Sequence, residues 1–586
     1  MIKRLGGRYS DLFVVGLVLS FSPMTEARRG SDFPIEFQGG SLVVESIQTR
    51  YETINPDATK SRVAKSDGQS LWLDFGFNAA GFAGEFTTNM IAGDLESDFK
   101  YRYGDRIFDE GGDRAEIYNF SATRLGDDYN LNLFYHIPRY HWGEEGDFFG
   151  LMYETTNMYD QDIWNEKAPY GVEFIGKDRL DGLKVVAGHE IYWGADPMAL
   201  IKYQFGENKQ YSAIVESDIS KDHERKRLSL QGAFSLNDST VLKAGVLRSG
   251  SELADNEYQV ESDGVRSTRT LSNTDALAYR LRLEKDVGTS SLIYGEYNHA
   301  GLVATRGEHQ EIWETNIPYS QAGNKKTSEV GGRFISGNWT ASPRLFYRYN
   351  EVSALSVAAR NANSFRDQNS DFAVHDNREA RAAEVFLTFD PTPGTFFYEW
   401  DNYLKEDAPF AFNVGLTRVE HPKRTDVREW DWGRDWGRSA ENIEKIFSRF
   451  VINPTNDLKI TGELEAGHQQ PLFGGDVDAS DPANTISNMT RFTSLDMKFV
   501  YKQKNVISMV YKEDAYGEYD WYANYGTSYP EQLMLGYERL LDDRSRPSKL
   551  GVTAYKRSMD ANSGGDWQSG ANRDMSEIQL YYSYSF

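Results

Sequence analysis

The chain has 586 residues, a formal charge of −24, 26% charged and 14% aromatic residues, and no cysteine. The missing cysteine excludes disulfides, thiolate metal sites and a lipid-modified cysteine anchor, and the acidic balance excludes the clustered Lys and Arg that nucleic-acid binding requires. After Phe21 no apolar run approaches the roughly 18 residues a membrane helix needs, so residence in a membrane would fall to strands.

At the N-terminus, Lys3, Arg4 and Arg8 precede the apolar stretch Leu12 to Phe21, and Pro23 to Ala27 offers a small-residue cleavage site. That order predicts a secretory signal peptide over residues 1–27 and a mature chain of 28–586. Removing residues 1–27 takes the formal charge to −25.

From Ser41 onward, ten-residue segments of period-two hydrophobicity recur. Strand side chains alternate between faces, so Leu71, Leu73, Phe75 and Phe77 share one face, opposite Trp72, Asp74, Gly76 and Asn78. The residues 94–113 are acidic and read either as a loop or as a loop holding one more strand, Phe99 to Phe108. Leu131, Leu133 and Tyr135 continue the alternation. His136 and His141 would then face opposite sides of a strand, which argues against a metal pair. Leu277, Tyr279, Leu281 and Leu283 alternate with Ala278, Arg280, Arg282 and Glu284, and Leu495, Met497, Phe499 and Tyr501 with Asp496, Lys498, Val500 and Lys502. Charges this frequent on one face suit a wet interior and not a dry sandwich core.

Connections alternate in length. Short turns are expected at 236–239, 286–289, 336–338, 390–394, 453–457 and 502–505, and long polar connections at 249–275, 301–327, 351–379, 405–442, 468–490 and 513–530. Tight turns on one rim and long loops on the other are the expected plan of a transmembrane β-barrel. Closure is obligatory in lipid, because an open edge would leave backbone groups unpaired where no water reaches them. The expected fold is therefore all-β: one large antiparallel transmembrane barrel with an even strand number between 20 and 26. Strand-like alternation begins too early for a preceding plug domain.

Candidate solute-contacting residues of the lumen are Arg280, Arg282, Arg344, Arg348, Arg449, Lys498, Glu284 and Glu384, with Lys243, Lys459, Glu463, Glu465 and Asp496 beside them. Inward charges of both signs either select solutes or pair across strands to hold the wall. Within the long connection after Leu404, Trp430, Trp432 and Trp436 lie among Asp and Arg residues. Ring faces beside charged groups hold sugars, and the same residues also suit a structural loop or an interfacial belt. No hydrolase triad signature, P-loop, dinucleotide fingerprint or zinc-protease element is present, so neither catalysis nor a cofactor is expected.

The chain ends Glu-Ile-Gln-Leu-Tyr-Tyr-Ser-Tyr-Ser-Phe, with Ile578, Leu580, Tyr582, Tyr584 and Phe586 on one face. This segment resembles the closing strand of Gram-negative outer-membrane β-barrels, and the whole plan resembles porins and the alginate-export type of barrel. The resemblance implies location in the outer membrane among lipid and lipopolysaccharide, and assembly by barrel machinery that reads Tyr582, Tyr584 and Phe586. It implies passage of a saccharide or export of an acidic polysaccharide. Two alternatives stay open: a structural sheath around a multihaem cytochrome, and a surface receptor or adhesin.

Overall fold

The computed structural model describes residues 35–53, 60–93, 100–103, 106–109, 114–137, 146–149, 169–189, 191, 198–219, 226–250, 257–262, 265–270, 277–300, 325–350, 379–391, 408–423, 443–469, 490–513, 524–525, 531–543, 546–558 and 572–586. The expected signal peptide and the Trp430 to Trp436 run lie outside these residues. Twenty-four strands form one antiparallel sheet in which neighbours in sequence are neighbours in space. The ring closes because the first strand, Ile35–Thr53, pairs with both Lys60–Ala79 and the last strand, Asn572–Ser585. Twenty-four strands about 4.8 Å apart and tilted by about 40° give a backbone radius of about 24 Å for a circular section.

Face assignment follows from which apolar side chains stay exposed. Tyr279, Leu281 and Leu283, Val330, Leu345 and Tyr347, and Ile578, Leu580 and Tyr582 are all exposed on one face of their strands. A folded chain leaves so many large apolar side chains uncovered only where lipid replaces water. The belt is rimmed by rings, as interfacial aromatics require. On the short-turn side Trp339, Phe389, Phe410 and Phe412 pack together, as do Tyr203, Phe205, Tyr211 and Phe234. On the loop side Tyr170 stacks on His189 and Tyr279 on His299. Trp339 and Tyr347 lie eight residues apart on one strand, which spans roughly 20 Å of the membrane normal at the usual rise and tilt. Leu283 sits midway between Tyr279 and Val287 on the strand Leu277–Val287. We expect Leu283→Arg to cost about 2–4 kcal/mol, measured as a shift in urea-dependent refolding into lipid vesicles.

Turns at 238–239, 288–290, 337–338, 456–457 and 502–504 fall where the sequence places them. At the first, Asn237 Oδ1 accepts from the Ser239 backbone N–H, the side-chain turn that makes Asn a turn residue. The expected turn at 390–394 and the long connection 405–442 need correction. The strand Phe410–Lys423 follows Glu379–Phe389 directly in the sheet, so 390–409 is a longer connection on the short-turn rim. Phe396, Tyr398 and Trp400 alternate as convincingly as Phe410, Phe412 and Val414, and periodicity cannot choose between two adjacent candidates. A small hairpin separate from the barrel sheet is formed by Lys100–Tyr103 and Arg106–Asp109, and its first strand also pairs with Asn524–Tyr525. Between two short-turn connections, the Lys209 Nζ lies 2.7 Å from Asp181 Oδ1. Its hydrogen bond holds the Asp181 carboxyl below the ordinary carboxylate range, so the tie is present at neutral pH and lost as pH falls through that lowered value.

The seam is closed by the terminal residue itself. Gly40 and Phe586 exchange backbone hydrogen bonds, Gly40 N to Phe586 O and Phe586 N to Gly40 O, both at 3.0 Å. The Phe586 ring stacks on Phe37 and Tyr584 at 6.1 and 5.8 Å. Gly40 allows the approach: a Cβ there would lie 3.1 Å from the Phe586 ring and 2.4 Å from the Trp72 carbonyl oxygen on the strand behind it. On the inner face Gln579 donates to Glu45 and Tyr581 to Glu538. Beneath the seam, Arg546 reaches Asp74 at 2.7 Å, spanning three intervening strands.

Candidate functional site

With the lipid face fixed, the alternate residues line the lumen, and two different surfaces appear there. One is a band of charge. Lys243 bonds Glu284 at 2.9 Å, Arg282 bonds Glu284 at 2.7 Å and Glu296 at 2.9 Å, and Arg280 bonds Glu296. Arg280 uses its fork, Nε and Nη2 donating to the two Glu296 oxygens at 3.0 Å each, the geometry that only guanidinium supplies. Asn298 adds a third donor residue to Glu296 at 2.7 Å. The band continues through Tyr294 to Glu329, then Arg344, which lies 3.7 Å from Glu329 and 3.0 Å from Glu384, and Thr417 donates to Glu384 at 3.1 Å. Further round, Arg449 pairs with Glu463 at 2.7 Å and Lys445 with Glu465 at 3.5 Å.

Opposite charges directly across neighbouring strands arise because one face of each strand carries the charged alternates and register sets them level. Arg344 faces Glu384 in the sheet, and Arg282 faces Glu296. From Lys243 to Glu384 the band holds four cations (Lys243, Arg280, Arg282, Arg344) and four acids (Glu284, Glu296, Glu329, Glu384). It is polar and nearly neutral.

The second surface is a shelf. The strand Tyr129–Tyr135 ends at His136, whose φ of 51° turns the chain out of the sheet. A non-glycine residue holds that conformation at a cost, offset here because His136 Nδ1 donates to the Tyr118 carbonyl at 2.7 Å. Tyr118 is the bulged residue of the strand Arg114–Leu125, skipped by the register between Asn119 and Ile117, and a bulge turns a backbone group away from the regular ladder. The expectation that His136 lies within a strand is thus corrected, and His141 lies outside the described residues.

Beyond this turn, residues 146–149 lie inside the barrel. Ser212 and Gln231 both donate to the Gly146 carbonyl, Phe148 N–H donates to Gln231 Oε1 at 2.8 Å, and Arg280 Nη1 donates to the Phe148 carbonyl at 2.6 Å. The Arg280 guanidinium also covers the Phe148 ring at 4.3 Å, a cation–π contact. Phe149 and Ile191 enter a buried cluster with Phe134, Val186, Met198, Leu200, Ile214, Leu247 and Ala278, joined by Ile137. Full burial of such side chains stabilises by roughly 1.5–3 kcal/mol each. Gly245 makes room for the shelf, since a Cβ there would lie 2.8 Å from the Phe149 ring. Beneath this sector Arg227 and Glu216 pair at 3.3 Å with neither side chain exposed.

Of the sequence candidates, Arg280, Arg282, Glu284, Arg344 and Glu384 are brought together in the band, and Arg449 joins it further round. Lys498 sits on the inner face opposite Thr461. The backbone of Arg348 lies level with Thr327 and Ala380. Tyr582 and Tyr584 face outward, paired with Val44 and Leu42. Sequence reasoning missed Glu296 and Glu329, which complete the band, and it missed the shelf. One signal was available: Gly245 interrupts the strand Thr240–Gly250, and a mid-strand glycine often marks a close approach of other chain.

Neither the family models nor the curated proteins match this chain. Among solved structures, Pseudomonas aeruginosa OccK8 (OprE) is similar at 10% identity and TM-score 0.29, covering 94% of this chain and 98% of its own. Acinetobacter baumannii OccAB4 is similar at 8% identity and TM-score 0.30, covering 94% and 98%. The P pilus usher (PapC) translocation pore is similar at 9% identity and TM-score 0.30, covering 93% and 99%. Similarity at this level carries no argument about what the chain does.

Proposed function

We propose that this barrel is an outer-membrane channel through which hydrophilic solutes, saccharides foremost, diffuse past a charged wall narrowed by the shelf. The observation that carries this reading is the contrast between faces: an exposed apolar belt outside and a band of ion-paired and hydrogen-bonded charges inside. A barrel this wide holds water unless it is filled, and a wall of paired charges suits a wet lumen. Four cations balanced by four acids favour neutral sugars over an acidic polysaccharide, which would need a net positive path. The shelf disfavours the sheath reading, because a cytochrome would need the sector that Phe148 and Phe149 fill. Terminal Phe586 and the N-terminal leader pattern support delivery to the outer membrane by barrel assembly machinery. Liposomes loaded with a polymer osmolyte and carrying the protein should swell in neutral mono- and disaccharides. Swelling rates equal to protein-free liposomes would remove the reading.

A further inference from the structure

A third feature of the inner wall lies on the strands Lys60–Ala79, Phe82–Gly93 and Arg114–Leu125, seven residues from the short-turn end of each. Trp72 on the first and Tyr118 on the third meet edge to face, with ring centroids 4.8 Å apart. The two strands flank a third and are thus about 9.6 Å apart, so the rings lean together over the strand between them. Asn89 lies on that middle strand, level with Trp72 on one side and Glu116 on the other. It is fully buried, and among the described residues neither its Oδ1 nor its Nδ2 has a hydrogen-bond partner. A buried amide left unpaired on both atoms is destabilising and calls for a partner. Trp72 carries its own polar edge elsewhere, its indole N–H donating to Ser70 Oγ at 3.1 Å. The ring row extends to His136, 4.3 Å from Tyr118, so the roof over Asn89 adjoins the turn that sends the chain toward the shelf.

We propose that Trp72, Tyr118 and Asn89 form a saccharide subsite on the lumen wall, taking a neutral hexose unit of a passing oligosaccharide. Pyranose C–H faces stack on aromatic rings, and a carboxamide offers one acceptor and two donors suited to adjacent hydroxyls. A change of ring rotamer opens the roof, and the sugar supplies the partner that Asn89 lacks. The electrostatic setting selects against acidic sugars. On the inner face nearby lie Glu45, Asp74 and Glu85, and Arg546 is committed to Asp74. The proposal rests on the channel reading and narrows it to a substrate class.

The test uses the full-length barrel in detergent and a set of linear neutral heptasaccharides of gluco, manno and galacto configuration. Calorimetric binding is read beside single-channel current, with heat-modifiable mobility confirming that each variant is a folded barrel. At least one heptasaccharide should bind the wild type, and Trp72→Ala and Asn89→Leu should each weaken it about tenfold or more, with an oligogalacturonate of the same length binding at least tenfold less well. Asn89→Leu should also raise the denaturation midpoint, because it removes the unpaired amide, so loss of binding cannot be ascribed to a damaged wall. A channel that conducts but binds none of the neutral sugars, or binding undiminished in both variants, would overturn the subsite. Asn89-dependent binding without conduction would leave the subsite standing and remove the channel reading, and absence of both would remove both.

Discussion

Arg280→Ala is expected to release the shelf while leaving the barrel folded. The substitution removes the hydrogen bond to the Phe148 carbonyl and the guanidinium over the Phe148 ring. Glu296 keeps Arg282 and Asn298 as partners, so no buried acid is abandoned and the sheet register is untouched. A hydrogen bond from a charged donor contributes about 1.5–3 kcal/mol, which lowers the ratio of docked to undocked shelf roughly 10- to 150-fold. Single-channel records should show more frequent excursions to a larger conductance. Gln231→Ala should act in the same direction, since Gln231 holds both Gly146 and Phe148. Among the described residues Arg282 bonds Glu284 and Glu296 and not the shelf, so Arg282→Ala should leave the excursions at wild-type frequency. Equal excursion rates in all three variants would contradict a latch at Arg280.

Deleting Phe586 has a large expected effect for two separable reasons. It removes the pair of backbone hydrogen bonds with Gly40 and two ring stacks. At about 1 kcal/mol per hydrogen bond and 0.5–1.5 kcal/mol per aromatic pair, the seam loses about 3–5 kcal/mol. Refolding into detergent should therefore show a lower denaturation midpoint in the deletion and a smaller drop for Phe586→Leu, which keeps the backbone pair. If the terminal ring is also read during assembly, Phe586→Leu should fall far more in membrane-inserted yield in cells than in stability after refolding. Parallel losses in the two assays would leave Phe586 as a seam residue alone.

The barrel was legible because its signal is repeated. Leu277 to Leu283 and Leu495 to Tyr501 each carry a weak alternation, but short turns such as Asn237 to Thr240 fix the rhythm and so the register of faces. The rhythm failed at 390–409, where two candidate strands follow one another and only sheet pairing selects Phe410–Lys423. The charged band was legible by face and not by partner. Arg344 and Glu384 are forty residues apart in sequence and adjacent in the sheet, and no spacing rule foretells such a pair without the register. The shelf was the least legible, because its position depends on contacts between a connection and side chains from seven strands, Tyr129–Tyr135 through Leu277–Val287. Trp72 and Asn89 were hidden for a related reason: their relation to Tyr118 depends on a bulge, which shifts one residue against the alternation.

A water-filled lumen narrowed by the shelf has a direct electrical signature. The most direct measurement is single-channel current in planar bilayers with neutral polymers of increasing size in the bath, wild type against Arg280→Ala. The wild type should show steady ohmic steps, with a polymer size above which current is no longer reduced, and Arg280→Ala should show a larger cut-off. A wild type with no conductance, or identical cut-offs in the two proteins, would contradict the narrowed lumen.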